Sequence, residues 1–148
     1  MDLVKCAVQG VFISVTELGT APTVVLDVGG GSCIPVYIGL WEAISISNAL
    51  NKDVLPRPIT HDLFIELLNN FGLSLEELHI DSLEDGVYYA KMVLRQGDRC
   101  ELLDCRPSDG IAIALRAGAP ILVDNEVIQM ASIKRENLPQ VVDINNYF

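Results

Sequence analysis

The chain has 148 residues, 50% of them hydrophobic, and a formal net charge of −10. That length suits one domain, able to bury roughly 70% of the surface its unfolded chain exposes. The acidic balance argues against tight non-specific nucleic-acid binding, which relies on basic patches that release counterions from phosphates, and no apolar run approaches the ~20 residues of a membrane span.

The opening Met1-Asp2-Leu3-Val4-Lys5 lacks the charged and apolar regions of a secretory leader. A soluble, cytoplasmic protein with no membrane association is therefore expected. A mean hydropathy of +0.35 is high for such a protein and points to a buried interface between copies, hence a homo-oligomer. Cys6, Cys33, Cys100 and Cys105 form no C-x-x-C pair and have no histidine at zinc spacing, so free, mostly buried thiols are expected.

In chain order, residues 3–15 are β-branched and apolar, a strand with a bulge or bend at Gly10. Thr23 to Val28 and Cys33 to Ile38 form a hairpin around Gly29-Gly30-Gly31-Ser32. The glycine triplet is no phosphate loop, because no Gly-Lys-Ser/Thr follows and the next element is a strand. Leu40 to Leu50 reads as a helix with Glu42 in its first turn, where a carboxylate suits the helix dipole. A connection stiffened by Pro56 and Pro58 around Arg57 leads to a second helix, capped by Thr60 and stopped at Gly72. Three strands follow, at Leu75 to Leu83, Val87 to Arg95 and Cys100 to Cys105, and then a helix ending near Gly118. Pro120 to Asp124 and Glu126 to Met130 suggest a closing hairpin about Asn125. The domain is expected to span residues 1–133, with 134–148 a peripheral tail.

Sliding the sequence on itself by 67 residues aligns two segments without a gap. Ile13, Glu17, Gly19, Gly30, Cys33, Ile44 and Ile46 meet Ile80, Glu84, Gly86, Gly97, Cys100, Ile111 and Ile113. Each segment reads as three strands and a helix, which suggests an internally duplicated β-β-β-α unit. The expected fold class is α+β: a mixed, mainly antiparallel sheet with packed helices. Glu42 in the first unit then falls opposite Asp109 in the second.

Polar chemistry concentrates at Asp104-Cys105-Arg106-Pro107-Ser108-Asp109, a strand-to-helix junction. Asp104 and Asp109 could share a magnesium or manganese ion with help from Glu42, since magnesium accepts one or two carboxylates and keeps waters. Arg106 would hold a phosphate and Ser108 would ligate or cap. The same residues also have a purely structural explanation. Pro107 suits the first helical position, Ser108 or Asp109 would complement the helix start, and Arg106 would pair with Asp104. Arg57-Pro58-Ile59-Thr60-His61-Asp62 is the second cluster. His61 and Asp62 could supply acid–base help, although adjacent helical residues do not share a face and a solvated helix start would look the same. His79 reads as a half-buried strand histidine.

Taken in order, Ile34-Pro35-Val36-Tyr37-Ile38-Gly39 before Glu42-Ala43, then Arg57 to Leu63, then Asp104 to Arg116 and Ala119-Pro120-Ile121 resemble the bifunctional nuclease domain family. The resemblance covers about residues 1–133, and the block from Asp104 to Pro120 is its most specific part. It implies hydrolysis of both DNA and RNA, a mixed α+β fold with internal duplication, and oligomeric assembly. Where the family pattern usually has Ala after Arg-Pro-Ser-Asp, this chain has Gly110, which should loosen the first helical turn by up to ~1 kcal/mol.

The leading expectation is a metal-assisted nuclease. Asp104, Arg106, Ser108, Asp109, His61 and Asp62 would be catalytic, Asp104, Asp109 and Glu42 metal ligands, and Arg57 and Arg106 phosphate contacts. The alternative is a non-catalytic oligomeric binding or regulatory domain whose polar junctions hold the fold together.

Overall fold

The computed structural model describes residues 2–147; Met1 and Phe148, the outer ends of the expected domain and tail, lie outside the described residues. Strands β1 (Leu3–Thr16), β2 (Gly19–Gly29) and β3 (Ser32–Tyr37) lead into helices α1 (Leu40–Asn51) and α2 (Thr60–Asn70). Strands β4 (Ser74–Glu84), β5 (Val87–Gln96) and β6 (Arg99–Cys105) then lead into α3 (Pro107–Ala117). The chain continues through β7 (Ile121–Asp124), α4 (Asn125–Ala131), β8 (Ile133–Lys134), a 3-10 turn, β9 (Val141–Asp143) and α5 (Ile144–Tyr147).

The strands form one sheet in the order β6-β5-β4-β7-β1-β2-β3-β8, with β9 pairing beside β1. The β4–β7 pair is parallel and the other described pairs are antiparallel, giving the mixed, mainly antiparallel α+β fold. A shift of 67 residues carries β2 onto β5, β3 onto β6 and α1 onto α3 to within about one residue at each end. The correspondence is one of element order and spacing, and common descent of the two units is a separate matter.

Helices α1 and α3 pack on each other, α1 over β1 and β2, α3 over β4 and β5. Their buried faces and the strands beneath supply the core. Ile46, Ile111, Leu26, Ile34, Leu78, Ile80 and Val123 are fully enclosed, and each contributes about 1.5–3 kcal/mol of apolar burial. Thr23 to Leu26 are buried in unbroken succession, which marks β2 as a strand covered on both faces. Gly110 sits where α3 crosses β4. A Cβ there would collide with Leu78 Cδ1 and lie 3.1 Å from Cys105 Sγ, so the glycine lets the helix approach closely rather than merely loosening its first turn.

Three expectations are corrected. Residues after Asn125 form α4, not a hairpin strand, because the Asp124 carboxylate accepts the Glu126 N–H at 2.9 Å and starts a helix. Residues 134–147 are docked, not merely peripheral: β9 pairs with β1 at Phe12 to Ser14, and Ile144 is 3% exposed. Thr60 does not cap α2. It is the first helical residue after Ile59, whose N–H is taken by the Asp62 carboxylate at 3.1 Å. The four cysteines are free, as expected; Cys6 and Cys33 are buried, whereas Cys100 on the edge strand β6 is exposed. Burial pushes the Cys105 thiol up to about 12 and that of Cys6 up to about 11, so neither is nucleophilic near neutral pH. No helix among the described residues is long and apolar enough to cross a membrane.

Candidate functional site

Helices α1, α2 and α3 each carry an acid at the third helical position: Glu42, Asp62 and Asp109. That position lets a carboxylate face the unsatisfied N–H groups and positive pole of the first turn. Gly39 precedes α1, and a Cβ there would collide with Glu42 Oε1, so the glycine leaves room for that carboxylate to fold back over the helix start. Because α3 packs on both other helices, the polar starts of all three are brought within side-chain reach.

A chain of polar contacts results. The Ser45 hydroxyl lies 2.6 Å from His61 Nδ1, and His61 Nε2 lies 2.9 Å from Asp109 Oδ1. Arg106 donates Nε–H to Asp109 Oδ2 at 2.8 Å and Nη2–H to Oδ1 at 3.2 Å, a bidentate fork. Its Nη1 stands 3.5 Å from Glu42 Oε1. Trp41, Glu42, Ser45, His61, Arg106 and Asp109 line one open cleft of about 630 Å³. Burial pushes the Asp109 carboxyl up, but hydrogen bonds from Arg106 and His61 outweigh it and hold the group below its ordinary value. Asp109 therefore stays ionised and keeps Arg106 oriented, while the arginine side chain remains 66% exposed.

Asp62 faces elsewhere. It accepts Arg116 Nε–H at 2.7 Å, which holds its carboxyl below the usual range, with the Ile59 N–H adding to the effect against partial burial. Arg116 also donates to the Ala112 carbonyl at 2.9 Å and the Ser45 carbonyl at 3.2 Å, so it ties all three helices together. His61 and Asp62 are thus not a working pair, as the helical geometry predicts. His61, expected at a solvated helix start, is instead 9% exposed.

The expected metal ligands do not assemble. Among the described residues, no three Asp, Glu, His or Cys side chains gather at a common point. Asp104 lies opposite Lys91 on β6, and strand alternation turns it to the face away from Cys105 and α3. Asp109 and Glu42 remain close, but the Arg106 guanidinium already occupies the position of a shared cation. With Asp104 turned away, the expected donor set is reduced to Asp109 and Glu42, both engaged by Arg106. Arg106 pairs with Asp109 and Glu42, not with Asp104 as the structural reading had it. Ser108 neither caps α3 nor joins the chain; it is 5% exposed, beside a second groove that also reaches Arg106. Arg57 is exposed on the loop whose Leu55 and Ile59 line the main cleft. His79 is half-buried, as expected, and bonded to Glu77 at 2.6 Å.

Sequence reasoning passed over Ser45, Trp41 and Arg116. Ser45 gives no local signal, since a serine inside an apolar helix resembles a tolerated small residue. Arg116 closes α3, where a basic residue already suits the helix dipole.

The sequence profile of the bifunctional nuclease domain matches residues 24–136. An uncharacterized protein of Mycobacterium tuberculosis is 37% identical over 127 residues, which covers 85% of this chain and 76% of that protein. Bifunctional nuclease 1 of Oryza sativa subsp. japonica is 28% identical over 112 residues, 74% of this chain but 34% of the rice protein. Bifunctional nuclease 1 of Arabidopsis thaliana is 25% identical over 108 residues, 70% of this chain and 33% of the plant protein. The matched span runs from β2 through α3 to the 3-10 turn and includes every residue of the cleft, so the chain belongs to the bifunctional nuclease domain family.

Proposed function

We propose that this chain hydrolyses phosphodiester bonds of DNA and RNA at the cleft between the starts of α1, α2 and α3. The observation that carries the reading is Arg106, exposed at the cleft mouth and held in a fixed fork by a carboxylate that also contacts His61. Arg106 keeps free N–H donors on Nη1 and Nη2 for a phosphate, because its Glu42 contact at 3.5 Å is loose. In hydrolysis, water adds to phosphorus and the ester P–O bond breaks. The water proton passes to the His61–Asp109 pair and the same pair returns a proton to the leaving oxygen. The guanidinium offsets charge gathering on the phosphoryl oxygens. Asp104, Ser108 and Asp62 have no part in these steps. The free thiols suit a reducing compartment such as the cytoplasm.

The test is cleavage of end-labelled single-stranded DNA and RNA by purified protein, with and without a chelator. Loss of cleavage in Arg106→Ala and in His61→Ala, with retention in Asp104→Ala, supports the site. Equal cleavage by all of them, or activity that separates from the protein on purification, sinks it.

A second reading, a non-catalytic oligomeric domain, is favoured by one observation. Leu63 and Leu67 on α2 and Phe71 at its C-cap follow one another at a spacing of four and are 59%, 50% and 64% exposed, an apolar stripe suited to another copy. Sedimentation of wild type against Leu67→Lys tests it: a smaller species for the variant supports the interface, and a monomeric wild type removes it.

A further inference from the structure

The cleft does not end at Arg106. A second groove of about 430 Å³, lined by Tyr37, Tyr88 and Ser108 among others, shares Arg106 as a common wall. An exposed guanidinium therefore stands between an aromatic side chain on one side, Trp41, and two on the other, Tyr37 and Tyr88. Trp41 is 76% exposed and Tyr37 57%, although aromatic rings of this size are normally largely buried. A cation flanked by two exposed rings, Trp41 and Tyr37, with Tyr88 half-buried behind, matches a single strand, in which phosphates alternate with unstacked bases. It does not match a duplex, whose bases are already stacked and whose backbone demands many cationic contacts. With only ten Lys and Arg in the chain, an electrostatic footprint for a duplex is missing, whereas stacking needs no net charge.

We propose that the two grooves form one continuous track for a short single strand, with a phosphate on Arg106, one base against Trp41 and a neighbouring base against Tyr37. The proposal rests on the phosphodiesterase reading for its substrate class and adds the strandedness and the residues that set it. Trp41 and Tyr37 are binding residues, and the chemistry at Asp109 and His61 does not depend on their rings.

Trp41 is the sole tryptophan of the chain, so its fluorescence reports on the site directly. A phosphorothioate-linked thymidine hexamer, slow to hydrolyse, should quench that emission, and an abasic hexamer of the same length should not. Anisotropy of the labelled hexamer should show affinity weakened about tenfold in Trp41→Ala and in Tyr37→Ala, with most of it restored in Trp41→Phe. A duplex of the same length should bind more weakly than the single strand. Equal quenching by the abasic hexamer would reduce the site to phosphate binding and overturn the proposal. So would an unquenched Trp41 in a protein that still cleaves oligonucleotides through Arg106, an outcome that leaves the nuclease reading standing. Quenching without any cleavage has the opposite meaning: the track survives and the nuclease reading fails. Emission that shifts red on dilution as an oligomer dissociates would assign Trp41 to a contact between copies and also overturn the track.

Discussion

Two arginines at opposite ends of α3 each pair with an aspartate, with similar N–H···O distances and different surroundings. Arg116 meets Asp62 at 2.7 Å with its side chain 10% exposed, and Nη1 and Nη2 each donate to a carbonyl, one on α3 and one on α1. Arg106 meets Asp109 at 2.8 Å with its side chain 66% exposed and, among the described residues, donates to no carbonyl. A guanidinium that is enclosed by protein and meets an acceptor on each nitrogen is a brace. One that is anchored on one edge and open on the other is a binding group. The distinction lies in what the unpaired edge sees, not in the strength of the ion pair.

That contrast can be broken by experiment. Arg116→Ala should have the largest effect on stability. It removes the charged partner of Asp62, whose carboxylate keeps only the Ile59 N–H, and the bonds to the Ala112 and Ser45 carbonyls, which should cost about 2 kcal/mol in urea unfolding. Arg106→Ala should cost less, about 0.5–1 kcal/mol, because the arginine is exposed and Asp109 keeps His61, while removing oligonucleotide binding. Equal destabilisation by both substitutions would erase the distinction.

Close behind is His61→Ala, which opens a small cavity and strands the Ser45 hydroxyl, at about 2 kcal/mol in the same assay. Acid should weaken both pairs. A carboxyl held below its ordinary value stabilises the fold above its unfolded pKa and loses that contribution as pH falls through the folded one. Because both Asp62 and Asp109 are lowered from 3.8, the loss should begin near that value and deepen below it. Circular dichroism from about pH 5 down to about pH 2 should show Asp62→Asn less stable than wild type at the start and flatter across the range.

Smaller still is Gly110→Ala. The gain in helix propensity is opposed by overpacking against Leu78, for a net loss of about 1 kcal/mol that Leu78→Val should recover. Asp104→Ala, exposed on an edge strand, should change stability by less than about 0.5 kcal/mol and leave cleavage intact.

Much of the fold was legible because it is local. Alternation and turn glycines mark β1 to β6, and the repeat at 67 residues anticipates the matching helices α1 and α3. The bulge expected at Gly10 appears as the register shift between Val8 and Gly10. What escaped depends on contacts distant in sequence. Asp104 and Asp109 are near neighbours in the chain, yet strand alternation and the Pro107 helix start send them apart. His61 and Asp109 are separated by 48 positions and meet because α2 packs on α3. The start of α4 turned on a single carboxylate, Asp124, whose side chain decides between turn and helix.

The place of β7 has a consequence for how the molecule is made. It lies between β4 and β1 in the sheet, parallel to one and antiparallel to the other, yet it follows both in the chain. A ribosome that has released residues up to Gly118 has produced both strand triplets and α1 to α3, but not the strand that joins them into one sheet. Until Ile121 to Asp124 emerge, β1 and β4 present open edges along the registers that β7 later fills. Completion of the single sheet is therefore a late, long-range event, and nascent chains stalled before that point are the ones most exposed to pairing with one another.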